Sequence, residues 1–198
     1  MYRGIALAAV VLLALTILGA GEMTAASPIL LKGVEREALL KEIAKSPAFV
    51  KATKGKKVVA STVLQYAVIP AGSKEPQQII EALHFRYDDG KTLRTTYNMS
   101  AKKLTKLEAL EAFPTPLAPE EITDAKKLAQ KQSKKVSDLM TKYPGPELGV
   151  QALAPVISEK KHALFGKRLA RLVLTPKKNL KSTVSVTVNL TDKKVTGK

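Results

Sequence analysis

Apolar residues recur along residues 34–46 at Val34, Ala38, Leu39 and Ile43, with Glu35, Arg36, Lys41 and Glu42 outside that stripe. The spacing predicts an amphipathic helix, ended or interrupted by Pro47. Period-two alternation follows. Residues 58–69 predict a long strand with Val58, Ala60, Leu64, Tyr66 and Val68 on its main face, and residues 78–87 a second with Ile79, Leu83, Phe85 and Tyr87 together. Asp88-Asp89-Gly90-Lys91 predicts a hairpin turn, because Asp-Gly accepts positive φ. A third strand is predicted over residues 92–99. Residues 103–110 read as a fourth strand, although Leu104, Leu107 and Leu110 also permit a helix.

The prolines of Phe113-Pro114-Thr115-Pro116-Leu117-Ala118-Pro119 predict a stiff linker. Pro119 suits the first helical position, and Glu120, Glu121 and Asp124 suit the positive end of the helix dipole. The apolar stripe Ile122, Ala125, Leu128, Ala129, Val136, Leu139 and Met140 predicts one helix of about five turns. Beyond Tyr143-Pro144-Gly145-Pro146, residues 148–157 predict an edge strand and residues 167–175 a further strand. Residues 183–190 alternate most regularly, with Val184, Val186, Val188 and Leu190 on one face.

Two stretches are near copies. Thr96-Tyr97-Asn98-Met99-Ser100-Ala101-Lys102-Lys103-Leu104-Thr105 and Thr187-Val188-Asn189-Leu190-Thr191-Asp192-Lys193-Lys194-Val195-Thr196 share one pattern, and Asn189 stands 91 positions after Asn98. A strand entering a polar turn and leaving as a strand fits both, and the fixed offset points to duplication. The expected fold class is α+β, with two tandem units, each one helix packed on a curled antiparallel sheet. Residues 27–114 would form the first unit and residues 115–198 the second. One merged sheet carrying two helices is the alternative.

Residues 1–26 read as an export signal. Arg3 is the positive flank, residues 5–18 are apolar apart from Thr16, and Thr24-Ala25-Ala26 offers a cleavage site before Ser27. An uncleaved anchor is the alternative, although the apolar run is short for a span of ~20 residues. The expected address is periplasmic or secreted. No cysteine follows to carry a lipid or form a disulfide.

The opening Pro116-Leu117-Ala118-Pro119-Glu120-Glu121-Ile122, the strand Lys167-Arg168-Leu169-Ala170-Arg171-Leu172-Val173-Leu174 and the closing segment 184–195 resemble the small cystatin-like N-terminal domains of copper amine oxidases. The likeness covers most of residues 115–198 and, more faintly, residues 34–110. It implies the fold and an accessory role. Oxidase activity is not carried over, because a copper site of three His and a modified Tyr would be needed. Only His84 and His162 are present, and Tyr97-Asn98 reverses the cofactor order. Nor is protease inhibition: Gln65-Tyr66-Ala67-Val68-Ile69 lacks the spacing and glycine of a Gln-x-Val-x-Gly hairpin.

The formal charge is +16, both halves are basic, and Lys far exceeds Arg. Such a surface favours anionic partners, while sparse aromatics argue against nucleic acid. Lys102 and Lys103 on one repeated turn, with Lys193 and Lys194 on the other, form a candidate anion-binding set. Lys177, Lys178 and Lys181 belong at the opposite end of the second sheet. His84 and His162 lack evident metal co-ligands. Asp88-Asp89 reads as a turn, not as a carboxylate pair, and no serine or threonine is marked as a nucleophile. Asn98-Met99-Ser100 and Asn189-Leu190-Thr191 are formal glycosylation sequons, for which turn geometry is the simpler account. The expectation is an exported, non-enzymatic accessory or binding protein without catalytic, metal or cofactor residues. The alternatives are an envelope protein binding acidic polysaccharide or anionic lipid, with only peripheral or signal-segment membrane contact, and a docking subunit for a separate enzyme.

Overall fold

The computed structural model describes residues 23–24 and 27–197. Of the expected export signal only β1 (Met23–Thr24) is described, paired antiparallel with β3; the rest of that segment lies outside the described residues. The described residues are α+β, with four α-helices and two antiparallel sheets instead of one merged sheet. After β2 (Ile29–Leu30) come α1 (Gly33–Ala44), α2 (Pro47–Thr53), β3 (Val58–Ile69), β4 (Gln77–Arg86), β5 (Lys91–Asn98) and β6 (Lys103–Leu110). Then follow α3 (Pro119–Gln132), α4 (Lys134–Lys142), β7 (Leu148–Leu153), β8 (Leu169–Pro176), β9 (Val184–Asn189) and β10 (Lys194–Gly197). The first sheet runs β1-β3-β4-β5-β6 with β2 also on β3, and the second runs β10-β9-β8-β7. Among the described residues no helix is long and apolar enough to cross a membrane.

The first expected helix is α1, ended before Pro47 as the sequence predicts, and a short helix α2 follows it that the pattern does not announce; the second expected helix is in fact two. Ser46 (φ −65°, ψ 128°) separates α1 from α2, and Ser133 (φ −122°, ψ 108°) separates α3 from α4. Pro47 explains the first break, since a residue before proline is driven out of the helical region. The second has no proline. There the carbonyl of Ser133 accepts from the amide of Ser137 at 2.9 Å, just as that of Ser46 accepts from Val50 at 2.9 Å.

Val34 and Ala38 do not join the buried stripe. Leu39, Ile43 and Phe49 are buried, whereas Val34 is 87% exposed and Ala38 is exposed. At ~100° per residue Val34 lies on the far side of α1 from Ile43. Residues 103–110 are a strand, which settles the helix alternative. Both faces of β4 are buried from Ile79 onward, so its pattern reads as half-covered while the strand is fully covered.

Compactness divides the chain into two units that are discontinuous in sequence. One comprises residues up to Lys54 with Thr62–Leu83 and Arg94–Glu108. The other comprises Gly55–Ser61, His84–Leu93 and Ala109–Lys198. The second unit's core joins Ala125 and Ala129 of α3, Val136 and Leu139 of α4, Ala170, Leu172 and Leu174 of β8, and Val186 and Val188 of β9. Alanine on the helix lets it approach the sheet closely, and burial of each large side chain contributes about 1.5–3 kcal/mol. Phe85 and Tyr87 belong to this core, their rings edge to face with centroids 5.3 Å apart.

The duplicated turns match in detail. Asn98 Oδ1 accepts from the amide of Ala101 at 2.9 Å, and Asn189 Oδ1 from the amide of Asp192 at 3.0 Å. Lys102 (φ 48°) and Lys193 (φ 53°) occupy the same left-handed position. Both asparagine amides are also committed as donors, to Gln77 and Asp192 respectively. Turn geometry therefore accounts for the two sequons.

Candidate functional site

Lys102 and Lys103 share the turn before β6 in the first unit, and Lys193 and Lys194 the turn before β10 in the second. All four are exposed. Lys194 stands 3.9 Å from Asp192. Lys177 and Lys178 lie at the other end of β8, where the Lys177 amide donates to the Glu147 carbonyl and Lys178 pairs with Glu147 at 3.4 Å.

Of the four, Lys193 lines a concavity. Lys57, Tyr87, Asp124, Lys127, Leu128, Leu190 and Lys193 line an open pocket of about 260 Å³ within the second unit. The three lysines come from three elements. Lys57 precedes β3 and is fixed by its backbone: its carbonyl accepts from the Tyr87 amide at 2.9 Å, and its amide donates to Asp88 Oδ2 at 2.9 Å. Lys127 rises from α3. Lys193 is held by Gln132, whose Nε2 donates to the Lys193 carbonyl at 3.0 Å while its Oε1 accepts from the Val195 amide at 2.9 Å. The Lys57 ammonium lies 4.3 Å from the centroid of the Tyr87 ring. None of the three ammonium groups forms an ion pair with a described residue. Leu128, the buried Leu190 and the Tyr87 ring supply apolar wall, and Asp124 is the one carboxylate.

Behind that wall is a buried polar network that the strand pattern does not reveal. The Tyr87 hydroxyl donates to Glu121 Oε1 at 2.6 Å. Arg168 Nε donates to the same oxygen at 2.9 Å and its Nη2 to Glu121 Oε2 at 2.7 Å. Arg168 Nη1 donates to the Thr115 carbonyl and hydroxyl, and Nη2 also to the Pro116 carbonyl at 2.6 Å. Glu121, third residue of α3, also accepts from the Ala118 amide at 2.9 Å, which is the glutamate half of a capping box. Burial alone pushes the Glu121 carboxyl up; Arg168, aided by the Tyr87 and Ala118 bonds, outweighs it and holds the group below its ordinary range. Burial, and then the bond to Glu121, push the Tyr87 hydroxyl well up. With its nitrogens committed on all sides and its guanidinium 4.7 Å from the Phe85 centroid, Arg168 serves to lock α3 and the linker to β8.

The neighbouring Asp88 and Asp89 take different partners. Asp88 accepts from the Lys57 amide, Asp89 from Arg86 Nε at 2.7 Å, and Gly90 (φ 66°) completes the turn against Gly166. The pair is a turn device. His84 is buried on β4, and His162 Nδ1 accepts from the Leu164 amide at 3.0 Å. The described residues contain no cluster of three or more His, Asp or Glu placed to hold a metal ion.

No protein-family model matches the chain, and no curated protein matches it. Among solved structures, a copper-containing benzylamine oxidase from Hansenula Polymorpha is similar at the level of fold. The TM-score is 0.48 and the identity 13%, over 86% of this chain and 29% of that one. The chain thus spans less than a third of that structure, and this likeness says nothing of activity, cofactor or partner.

Proposed function

We propose that this is an exported, non-enzymatic binding protein, periplasmic or secreted, that holds an anionic partner of the cell envelope, an acidic polysaccharide in particular. The observation behind this reading is the convergence of Lys57, Lys127 and Lys193 on one pocket with no ion-pair partner among the described residues. Three cations against the single carboxylate of Asp124 leave net positive charge around the concavity, and an anion relieves the repulsion. The net charge of +16 draws the same class of partner from a distance. In this reading the cystatin-like units are scaffold.

The purified protein should bind an immobilised polyuronate at low ionic strength, and the binding should weaken steadily as sodium chloride rises from about 20 to 300 mM. Equal retention on a neutral polysaccharide, or no retention at low salt, would reject the reading. Saturable turnover of an amine by the protein would reject its non-enzymatic half.

A further inference from the structure

We propose that the pocket bounded by Lys57, Lys127 and Lys193 takes a single acidic sugar ring, a hexose carrying a carboxylate or a phosphate. The proposal rests on the anion-binding reading and gives it a place and a ligand class.

Size is the first argument. About 260 Å³ lies just below the ~300–1,000 Å³ usual for organic ligands, which leaves room for one ring and its substituents. Chemistry is the second. Lysines on three sides of one lining offer a carboxylate or phosphate compact donors of charge-assisted hydrogen bonds. Asp124 would oppose a bare polyanion at the same place, yet it is the acceptor that ring hydroxyls require. The half-buried Leu128, backed by the buried Leu190 and Tyr87, offers apolar wall to the C–H face of a sugar. A ligand with anion, hydroxyls and an apolar face satisfies all three parts of the lining. Inorganic phosphate uses only the lysines, and an aromatic acid leaves Asp124 unanswered.

The third argument is preorganisation. The backbone of Lys57 is fixed by Tyr87 and Asp88, and the turn carrying Lys193 by the Gln132 amide, which bonds the Lys193 carbonyl at one end and the Val195 amide at the other. The lysine stems therefore start from set positions, and less freedom is lost when the ligand arrives.

Calorimetric titration of the full-length protein at low salt tests this with glucuronate, a hexose phosphate, neutral glucose, benzoate, inorganic phosphate and a polyuronate. Glucuronate or the hexose phosphate should saturate one site, and which of the two binds more tightly identifies the acidic group. Glucose, benzoate and phosphate should each bind at least about tenfold more weakly. The triple variant Lys57→Gln, Lys127→Gln, Lys193→Gln should lose monosaccharide binding, while Lys51→Gln, Lys74→Gln, Lys135→Gln, with the same loss of charge, should keep it. Asp124→Asn should narrow the preference for glucuronate over benzoate. If benzoate or phosphate binds as tightly as the sugar acids, or if both triple variants lose binding equally, the pocket assignment is overturned. Polyuronate binding that persists unchanged in the pocket triple overturns this inference and leaves the broader anion-binding reading standing. Monosaccharide saturation without polyuronate binding does the reverse, rejecting the polymer and keeping the site.

Discussion

Arg168 and Glu121 are both almost fully buried, with residue exposures of 4% and 2%. A buried pair is costly to desolvate, so its effect shows when it is broken: removal of one partner strands the other charge and typically costs about 3–5 kcal/mol. Arg168→Met should therefore lower the thermal midpoint sharply. Arg168→Met combined with Glu121→Leu should recover much of the loss, although Tyr87 and Ala118 then lose an acceptor. Chemical denaturation of the wild type and three variants in a double-mutant cycle measures the coupling. Half of this pair is visible in the chain as written. Glu121 is legible as an acid in the first turn of a proline-started helix, but Arg168 reads only as one more basic residue on a strand. A partnership across 47 residues has no local signature, and neither alternation nor propensity encodes it.

Glu81 of β4 has the opposite character. Its exposure is 2% and Oε2 has no hydrogen-bond partner among the described residues. Burial pushes the carboxyl up to about 7, partly opposed by Arg94, which itself pairs with Glu108 on β6. A carboxyl raised in the folded state binds its proton more tightly there than in the unfolded chain. Stability should accordingly fall as pH rises from about 4.5 to 7 and then level off. The full effect is on the order of 3 kcal/mol. Glu81→Gln should remove most of that slope and raise stability at pH 8, as read by denaturant midpoints at half-unit pH steps. An unchanged slope would place the titration elsewhere.

The repeated elements carry more information than either copy alone. Strand positions, the Asp-Gly hairpin and the Asn turns are all readable because period-two alternation and turn chemistry are local signals. The break at Pro47 is readable too, but the one between α3 and α4 is not. Ala129 and Val136 lie seven residues apart on one continuous helical stripe, so periodicity joins α3 to α4 although Ser133 parts them. Ser46-Pro47 carries the usual start signal, whereas Ser133 stands inside an unbroken apolar stripe without a proline, and its side chain makes no capping bond. The turns predict a matched response. Asn98→Ala and Asn189→Ala each remove an acceptor from a turn amide and should each cost about 1–2 kcal/mol. Asn189, fully buried and also bonded to Asp192, should be the more costly. Thermal unfolding of the two variants side by side checks both the size and the order.

At the scale of the molecule, the offset of 91 at the asparagines extends to the strands, whose starts lie 90 to 93 residues apart, and shortens to 86 and 87 at the helices. Each copy reads helix, break, helix and then four strands in an antiparallel run. The compact units do not follow that boundary, since residues 55–61 and 84–93 of the first copy belong with the second unit. A linker visible as prolines marks where one copy ends, while packing decides which residues share a core, and only the first is written locally. Charge is the other property belonging to the whole chain. A net +16 on 198 residues is self-repulsive, because paired carboxylates such as Glu108, Glu111 and Asp192 are outnumbered by cations. Salt acts on this in two directions. It screens repulsion within the folded protein and so should raise the thermal midpoint between about 20 and 300 mM sodium chloride, while weakening attachment to a polyanion over the same range. If the basic surface were balanced by local pairing, stability would be flat or fall with salt, since the pairs too are screened. Differential scanning calorimetry across that range, alongside retention on polyuronate, gives both slopes. Opposite signs are expected, and a polyanion added at low salt should itself raise the midpoint, by binding the folded chain and relieving the repulsion that salt otherwise screens.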